Sequence, residues 1–149
     1  MAIWQYTFRI VPKDDLKELR VTTRLPDDDF EAFNFWRIGN YPLKFFEQLT
    51  SIFESRESWC SDIKLYGSED SNCIEIFIDD DAISDVTVRI DYTSDYGFIL
   101  NQLIEFCISN SLSMLDEKNN VLHLDVTAIM QLICSSSQFK KMGELTSDE

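Results

Sequence analysis

The sequence predicts an α+β fold, a single domain of mainly antiparallel sheet with about three helices packed on it. Three observations carry that expectation. Three strand-like runs crowd into Ser61 to Tyr92; the links between them are far shorter than the dozen or more residues a parallel crossover needs; and apolar stripes at helical spacing follow the strands instead of alternating with them. The three runs are Asp62 to Tyr66, Cys73 to Ile78 and Val86 to Asp91. In the second and third, Ile74, Ile76, Ile78 and Val86, Val88, Ile90 recur every second position, as when one sheet face is buried. The turns between them, Gly67 to Asn72 and Asp79-Asp80-Asp81, are acidic.

Upstream, Trp4, Tyr6, Phe8 and Ile10 alternate with Gln5, Thr7 and Arg9, which predicts a strand ended by Pro12. Leu19 to Arg24 reads as its return strand, closed by Pro26-Asp27-Asp28-Asp29. Phe30 to Arg37 matches neither the helical nor the strand period, and its four rings imply a segment covered either by core or by a partner. Pro42 suits the first turn of a helix running to about Ser55, with Leu43, Phe46, Leu49, Ile52 and Phe53 on one stripe. A second helix, capped by Ser94 or Asp95, runs through Ser109 and is apolar nearly all round, hence buried. Met114 to Asp116 and Val121 to Leu124 flank a turn-like Glu117 to Asn120 and predict a small hairpin. Asp125 can cap a third helix that fades at Ser135-Ser136-Ser137. Nothing marks a domain boundary, so residues 1–142 read as one domain, with 143–149 a polar, disordered tail.

The chain has 149 residues, enough for one well-formed core, and its 44% hydrophobic content argues against disorder. Its 27 acids against 13 Lys and Arg give a net charge of −14, a field that repels phosphate backbones and anionic lipid and favours basic proteins. Nucleic acid and membrane are therefore not expected partners. No run approaches the roughly 18 apolar residues of a membrane span, and the first residues lack a basic leader region, so a cytoplasmic location is expected. Cys60, Cys73, Cys107 and Cys134 match no metal or redox spacing; the last three fall among apolar residues and read as reduced core thiols.

Catalytic signatures are lacking. The one histidine, His123, sits in an apolar run and reads as a half-buried strand residue, and no nucleophile elbow, phosphate loop or dinucleotide-binding glycine pattern occurs. No catalytic residue, cofactor or metal is therefore assigned. Asp79, Asp80, Asp81 and Asp85, and Asp27, Asp28, Asp29 and Glu31, lack the glycine and terminal glutamate of a calcium loop. Either set is a solvated acidic turn or a partner surface, and with Glu69 and Asp70 they form the expected partner-binding set. Lys64, Glu75, Thr87, Arg89 and Asp91 alternate away from the apolar positions and are expected to share a polar sheet face, with Glu75 and Arg89 a cross-strand ion pair.

Leu43-Lys44-Phe45-Phe46, Asp62-Ile63-Lys64-Leu65-Tyr66-Gly67, Val86-Thr87-Val88-Arg89-Ile90-Asp91 and the Met114-Leu115-Asp116 turn carry a resemblance. Over Tyr41 to Phe139 the chain resembles immunity proteins of bacterial polymorphic or contact-dependent growth-inhibition toxins. That resemblance implies an α+β binder of a cognate toxin domain, often acidic and without catalysis of its own, and it carries over no functional residue. With the charge, it yields the expectation of a cytoplasmic inhibitor, monomeric or weakly homodimeric, that occludes the active site of a basic toxin such as a nuclease. The alternatives are a small acidic enzyme or metal-dependent protein, and a structural subunit that oligomerises through Phe30 to Trp36.

Overall fold

The computed structural model describes residues 4–39, 41–51, 53–58 and 60–147. Its strands are β1 (Gln5–Pro12), β2 (Ser55–Arg56), β3 (Ile63–Gly67), β4 (Cys73–Asp79), β5 (Ala82–Asp91) and β6 (Leu112–Leu115). Its helices are α1 (Lys13–Glu18), α2 (Asp27–Ala32), a 3₁₀ helix (Leu43–Ser51), α3 (Gly97–Ser109), α4 (Val126–Cys134) and α5 (Ser137–Ser147). The strands form one antiparallel sheet in the order β2-β3-β4-β5-β1-β6. An α+β fold with helices packed on antiparallel sheet is thus what the chain adopts. The central meander is β3-β4-β5, and the first strand of the chain is inserted between β5 and β6.

The register explains which face is buried. Phe8 lies opposite Val88, Val88 opposite Ile74 and Ile74 opposite Tyr66, while Tyr6 pairs with Ile90 and Ile76 with Val86. Paired residues point to one side, so period-2 apolar runs from β1, β4 and β5 build one continuous apolar face. These residues join Leu100, Leu103, Ile104 and Cys107 of α3 and Ile129 and Ile133 of α4 in one core. Full burial of an aliphatic side chain such as Ile76 stabilises by about 1.5–3 kcal/mol.

Two turns of the meander impose residue choice. Gly67 has φ of +88°, and a Cβ there would lie 2.3 Å from the Asn72 carbonyl oxygen, so only glycine fits. Between β4 and β5, Asp79 pairs with Ala82 while Asp80 and Asp81 have φ of 50° and 59°, a two-residue turn of the I′ kind. Aspartate tolerates that left-handed backbone better than most residues, so part of the acidity of this turn is conformational.

Several elements differ from the sequence reading. Leu19 to Arg24 is not a return strand: Pro12 leads straight into α1, Arg20 reverses the chain at φ of 58°, and both sides of β1 are already taken by β5 and β6. Only Arg24 touches a strand-like partner, through an isolated bridge to Asn120. The helix after Pro42 is 3₁₀, which fits apolar residues three apart at Leu43, Phe46 and Leu49; Ile52 lies outside the described residues. Helix α3 starts at Gly97, with Tyr96 rather than Ser94 or Asp95 at its N-cap. The Met114 hairpin reduces to β6 and a bridge from Leu115 to Val121. Asp125 does cap α4, accepting the Ala128 amide at 2.9 Å. The tail from Gly143 is not wholly disordered, because α5 continues to Ser147 on the anchorage of Phe139 and Met142; Asp148 and Glu149 lie outside the described residues.

The segment of four rings is core. Phe35 and Trp36 are buried, and Trp36 packs edge-on against Tyr41, Phe45 and Phe46, which meet Phe106 of α3. Trp36 has φ of 72°, a costly conformation for a bulky side chain. The fully buried Asp15 offsets it, since its Oδ2 accepts the Trp36 amide at 2.8 Å. Four free cysteines complete the inventory: Cys73 and Cys107 are buried, with thiols pushed up to about 12 by burial, whereas Cys134 is exposed rather than a core thiol. Among the described residues no helix is long and apolar enough to cross a membrane.

Two measurements check this account. In urea titrations Ile76→Ala is expected to cost about 2–5 kcal/mol and Ile76→Val about 0.5–1.5 kcal/mol; an alanine variant as stable as the parent would remove Ile76 from the core. The second concerns pH. Burial, the largest influence, raises the Asp15 carboxyl above its ordinary value, with the Trp36 hydrogen bond pulling down and Asp14 adding to the rise. A carboxyl raised in the folded state contributes stability at low pH that is lost as pH climbs through the unfolded and then the folded value. Asp15→Asn keeps an acceptor for the Trp36 amide without the charge, so it should exceed the parent in stability near neutral pH and match it in acid. A variant weaker than the parent at neutral pH would show that the ionised carboxylate is a net anchor.

Candidate functional site

The expected acidic residues divide between the two ends of the sheet. Asp79, Asp80 and Asp81 are exposed on the β4–β5 turn. Asp85 follows on β5, half-buried, and accepts bidentately from Arg9 of β1 at 3.1–3.3 Å. The Arg9 guanidinium also stacks over the Phe30 ring of α2 at 4.3 Å, which brings the helix of Asp27, Asp28, Asp29 and Glu31 against the same sheet face. Those acids lie in the first turn of α2 and just beyond it, where the N-terminal helix dipole favours negative charge. Asp27 is partly neutralised by Arg24 at 3.2 Å and by the Asn119 amide at 3.3 Å.

Glu69 and Asp70 do not join them. They sit on the β3–β4 turn, at the end of the sheet where β1 begins, and the backbone there is pinned to β1. Gln5 donates to the Glu69 and Ser71 carbonyls at 2.9 and 2.6 Å, and Trp4 Nε1 to the Asp70 carbonyl at 3.0 Å. Their main role in the structure is to hold the N-terminal strand in register.

Between the two ends runs the polar sheet face. Arg9, Thr87 and Glu75 stand opposite one another across β1, β5 and β4, and Arg89 stands between Thr7 and Cys73. Glu75 is only 2% exposed and meets Arg89 at 2.5 Å, the expected cross-strand pair. Lys64 does not belong here: its partner across β4 is Ile76, so it projects on the helix side, where it reaches Glu47 at 3.7 Å and the Tyr66 ring at 5.6 Å. In β3 it is Ile63 and Leu65 that share the face of Glu75, opposite Phe77 and Glu75 respectively; with Tyr66 on the other side, β3 has apolar residues on both faces and the period-2 signal cannot choose between them.

Two adjoining concavities, of about 420 and 320 Å³, flank the turn after β6. The larger is lined by Tyr6, Asp116, Glu117, Lys118, Leu132 and the Ser135 to Gln138 junction among others, the smaller by Thr7, Phe8, Arg9, Asp116 and Glu117. The Asp116 carboxylate closes its own turn, accepting from the Lys118 and Asn120 amides and from the Asn120 side chain, each at 2.9 Å. The buried Tyr6 hydroxyl is raised to about 12, mainly by burial, so it stays protonated in the physiological range. His123 is exposed and outside any strand, contrary to expectation, since the chain after Val121 leaves the sheet before another ladder forms. Among the described residues no group of three His, Cys, Asp or Glu side chains is placed to hold a metal ion. Sequence reasoning missed Arg9, Phe30 and Glu117; the visible signal was Arg9, a cation on the polar side of an otherwise apolar strand.

Glu75 is buried, and Arg89 is its ion-pair partner. Arg89→Ala should cost about 3–5 kcal/mol in urea titrations, and adding Glu75→Leu should recover more than half of it, since burying an unpaired charge costs more than replacing the pair. Equal instability of the single and double variants would mean that the pair does not offset the burial.

Comparison with protein-family models, with curated proteins and with solved structures gives no match.

Proposed function

We propose that this chain is an immunity-type inhibitor that binds a basic toxin domain and occludes its active site. The observation that carries the reading is an acidic surface left over after internal pairing. Among the described residues, ion pairs engage Asp85, Asp27, Glu54, Glu47 and Glu75, while Asp28, Glu31, Asp79, Asp80 and Asp81 stand exposed outside them. Arg9, paired with Asp85 and stacked on Phe30, sets the two groups on one side of a rigid sheet. Fixed like charges of this kind steer a basic partner and raise its association rate.

A nuclease is the toxin class that this charge suits best. Such an enzyme must be basic to hold a phosphate backbone, so an acidic inhibitor is drawn to the cleft that the substrate uses. Steric occlusion then needs no chemistry from the inhibitor. The site of action would be the cytoplasm, where four free cysteines stay reduced.

The test begins with a toxin gene adjoining this one, expressed with and without this protein. Coexpression should restore growth, and the two proteins should copurify. The association rate should fall at least about tenfold between roughly 50 and 200 mM salt, with dissociation changing less. Asp79→Asn, Asp80→Asn and Asp81→Asn together keep residues that tolerate the left-handed turn and should weaken binding at least about tenfold at unchanged urea midpoint. The same triple change at Asp27, Asp28 and Asp29 is the comparison. Wild-type affinity in both folded variants would end the acidic-surface reading.

A further inference from the structure

Helix α5 carries the chain's own basic, aromatic-anchored segment, with Phe139 followed by Lys140 and Lys141 and no acid from Ser137 to Gly143. Its contacts with the acidic body include three that involve Phe139 and Gln138. Phe139 packs edge-on against Tyr92 at 5.4 Å; the Tyr92 hydroxyl donates to the Gln138 carbonyl at 3.2 Å; and the Gln138 amide donates to Glu117 Oε1 at 2.9 Å, across the larger concavity. Both lysines are exposed, and Phe139 and Met142 are only partly buried.

An isolated helix of this length is marginal in water even with good formers, and α5 contains Gly143. Its helicity therefore depends on docking. Docking is shallow, whereas the core beneath it is fully buried, so α5 can leave without unfolding the sheet. It is joined to α4 only through Ser135 and Ser136, whose hydroxyls bond back to the Gln131 and Ile133 carbonyls. Its departure uncovers Tyr92 (8% exposed), against which Phe139 packs, and widens the concavity that Gln138 shares with Tyr6 (4%) and Leu132, whose charged lining is Asp116, Glu117 and Lys118. Tyrosines beside two carboxylates and one ammonium, a rim of net negative charge, make a surface suited to a basic segment with an aromatic anchor.

We infer that α5 is an exchangeable strap: it occupies, within the chain, a surface that an external basic segment with an aromatic anchor takes when the strap is released. This rests on the reading of the protein as a binder of basic partners, but its test needs no toxin. In the full-length protein, hydrogen exchange should show α5 amides at least about 100-fold less protected than those of β5. Phe139→Ala should abolish α5 protection and leave β1, β4 and β5 unchanged, with Gln138→Ala giving a partial version of the same effect.

The second arm uses a synthetic peptide of residues Ser137 to Ser147 added to the full-length Phe139→Ala protein and followed by amide NMR. With tethering worth an effective concentration of about 1 mM, a strap that competes about tenfold requires the free peptide to bind at about 0.1 mM or tighter. Shifts should centre on Tyr6, Tyr92 and Glu117, binding to the parent protein should be at least about tenfold weaker because the strap competes, and a peptide with Lys140→Glu and Lys141→Glu should lose affinity. Exchange of α5 only through global unfolding, loss of sheet protection in both variants, no binding by the peptide, equal binding to parent and variant, or indifference to the lysine changes would each overturn the proposal. A failed toxin test alongside successful peptide exchange would leave the strap standing and remove only the toxin as its displacer.

Discussion

The ladder that β1 forms on both its edges is the constraint on which the rest depends. Residues 5–9 pair with β5 and residues 9–12 with β6, so Arg9 alone is registered against both. A strand made at the start of the chain thereby joins a sheet between two strands, β5 and β6, whose paired residues run from Thr87 to Leu115, far downstream. Long-range pairing of this kind carries a loop-closure cost before its contacts are gained, and here the gain is the burial of Tyr6, Phe8 and Ile10. The clasp at its N-terminal end, from Trp4 and Gln5 to the β3–β4 turn, fixes the register that puts those rings inside. A one-residue slip would turn Arg9 inward and Phe8 to solvent.

The same strand organises the charge. With a net charge of −14, self-repulsion has to be distributed, and the acids sit where local geometry welcomes them: the first turn of α2, a left-handed hairpin turn, and the Asp116 turn closed on its own amides. The sheet face, in contrast, is balanced, Arg9 against Asp85 and Arg89 against Glu75. The strain in the fold is placed elsewhere, at Trp36, whose left-handed backbone is held by the buried Asp15 and by a cluster of rings.

What could be read in the sequence was what local periodicity encodes. The meander was legible because Ile74, Ile76, Ile78 and Val86, Val88, Ile90 alternate cleanly, and the α4 cap because Asp125 precedes an apolar stripe. The insertion of β1 was not, since no local pattern says which strands will flank a given one. Lys64 lies on the face opposite to the one its polarity suggests, because Ile63 and Leu65 on one side of β3 and Tyr66 on the other leave that strand without a single apolar face. The three-residue spacing of Leu43, Phe46 and Leu49 was present but reads equally as part of a 3.6 stripe. Of the candidate site, the acids were visible as composition; that Asp85 and α2 meet at Arg9, while Glu69 and Asp70 belong to the far end, needed the tertiary pairing.

How a partner can approach follows from how the sheet edges end. One edge is β2, a strand of only two residues, and the rest of the outer side of β3 is taken up: the Ile63 amide donates to the Cys60 carbonyl, the Ile63 carbonyl accepts from Ser58, and the Gly67 amide donates to the Glu54 carbonyl. At the other edge, the Met114 carbonyl of β6 accepts the Leu122 amide and Leu115 bridges Val121. A two-residue edge strand on one side, and backbone groups already paired on the other, offer little template for an added strand. Recognition therefore has to use side-chain surfaces, where charge and aromatic anchors decide the outcome. Both surfaces singled out above are of that kind, and they meet at β1: Arg9 leads to the acids of α2 and the β4–β5 turn, and Tyr6, on the opposite face of the same strand, leads to the concavity that α5 flanks.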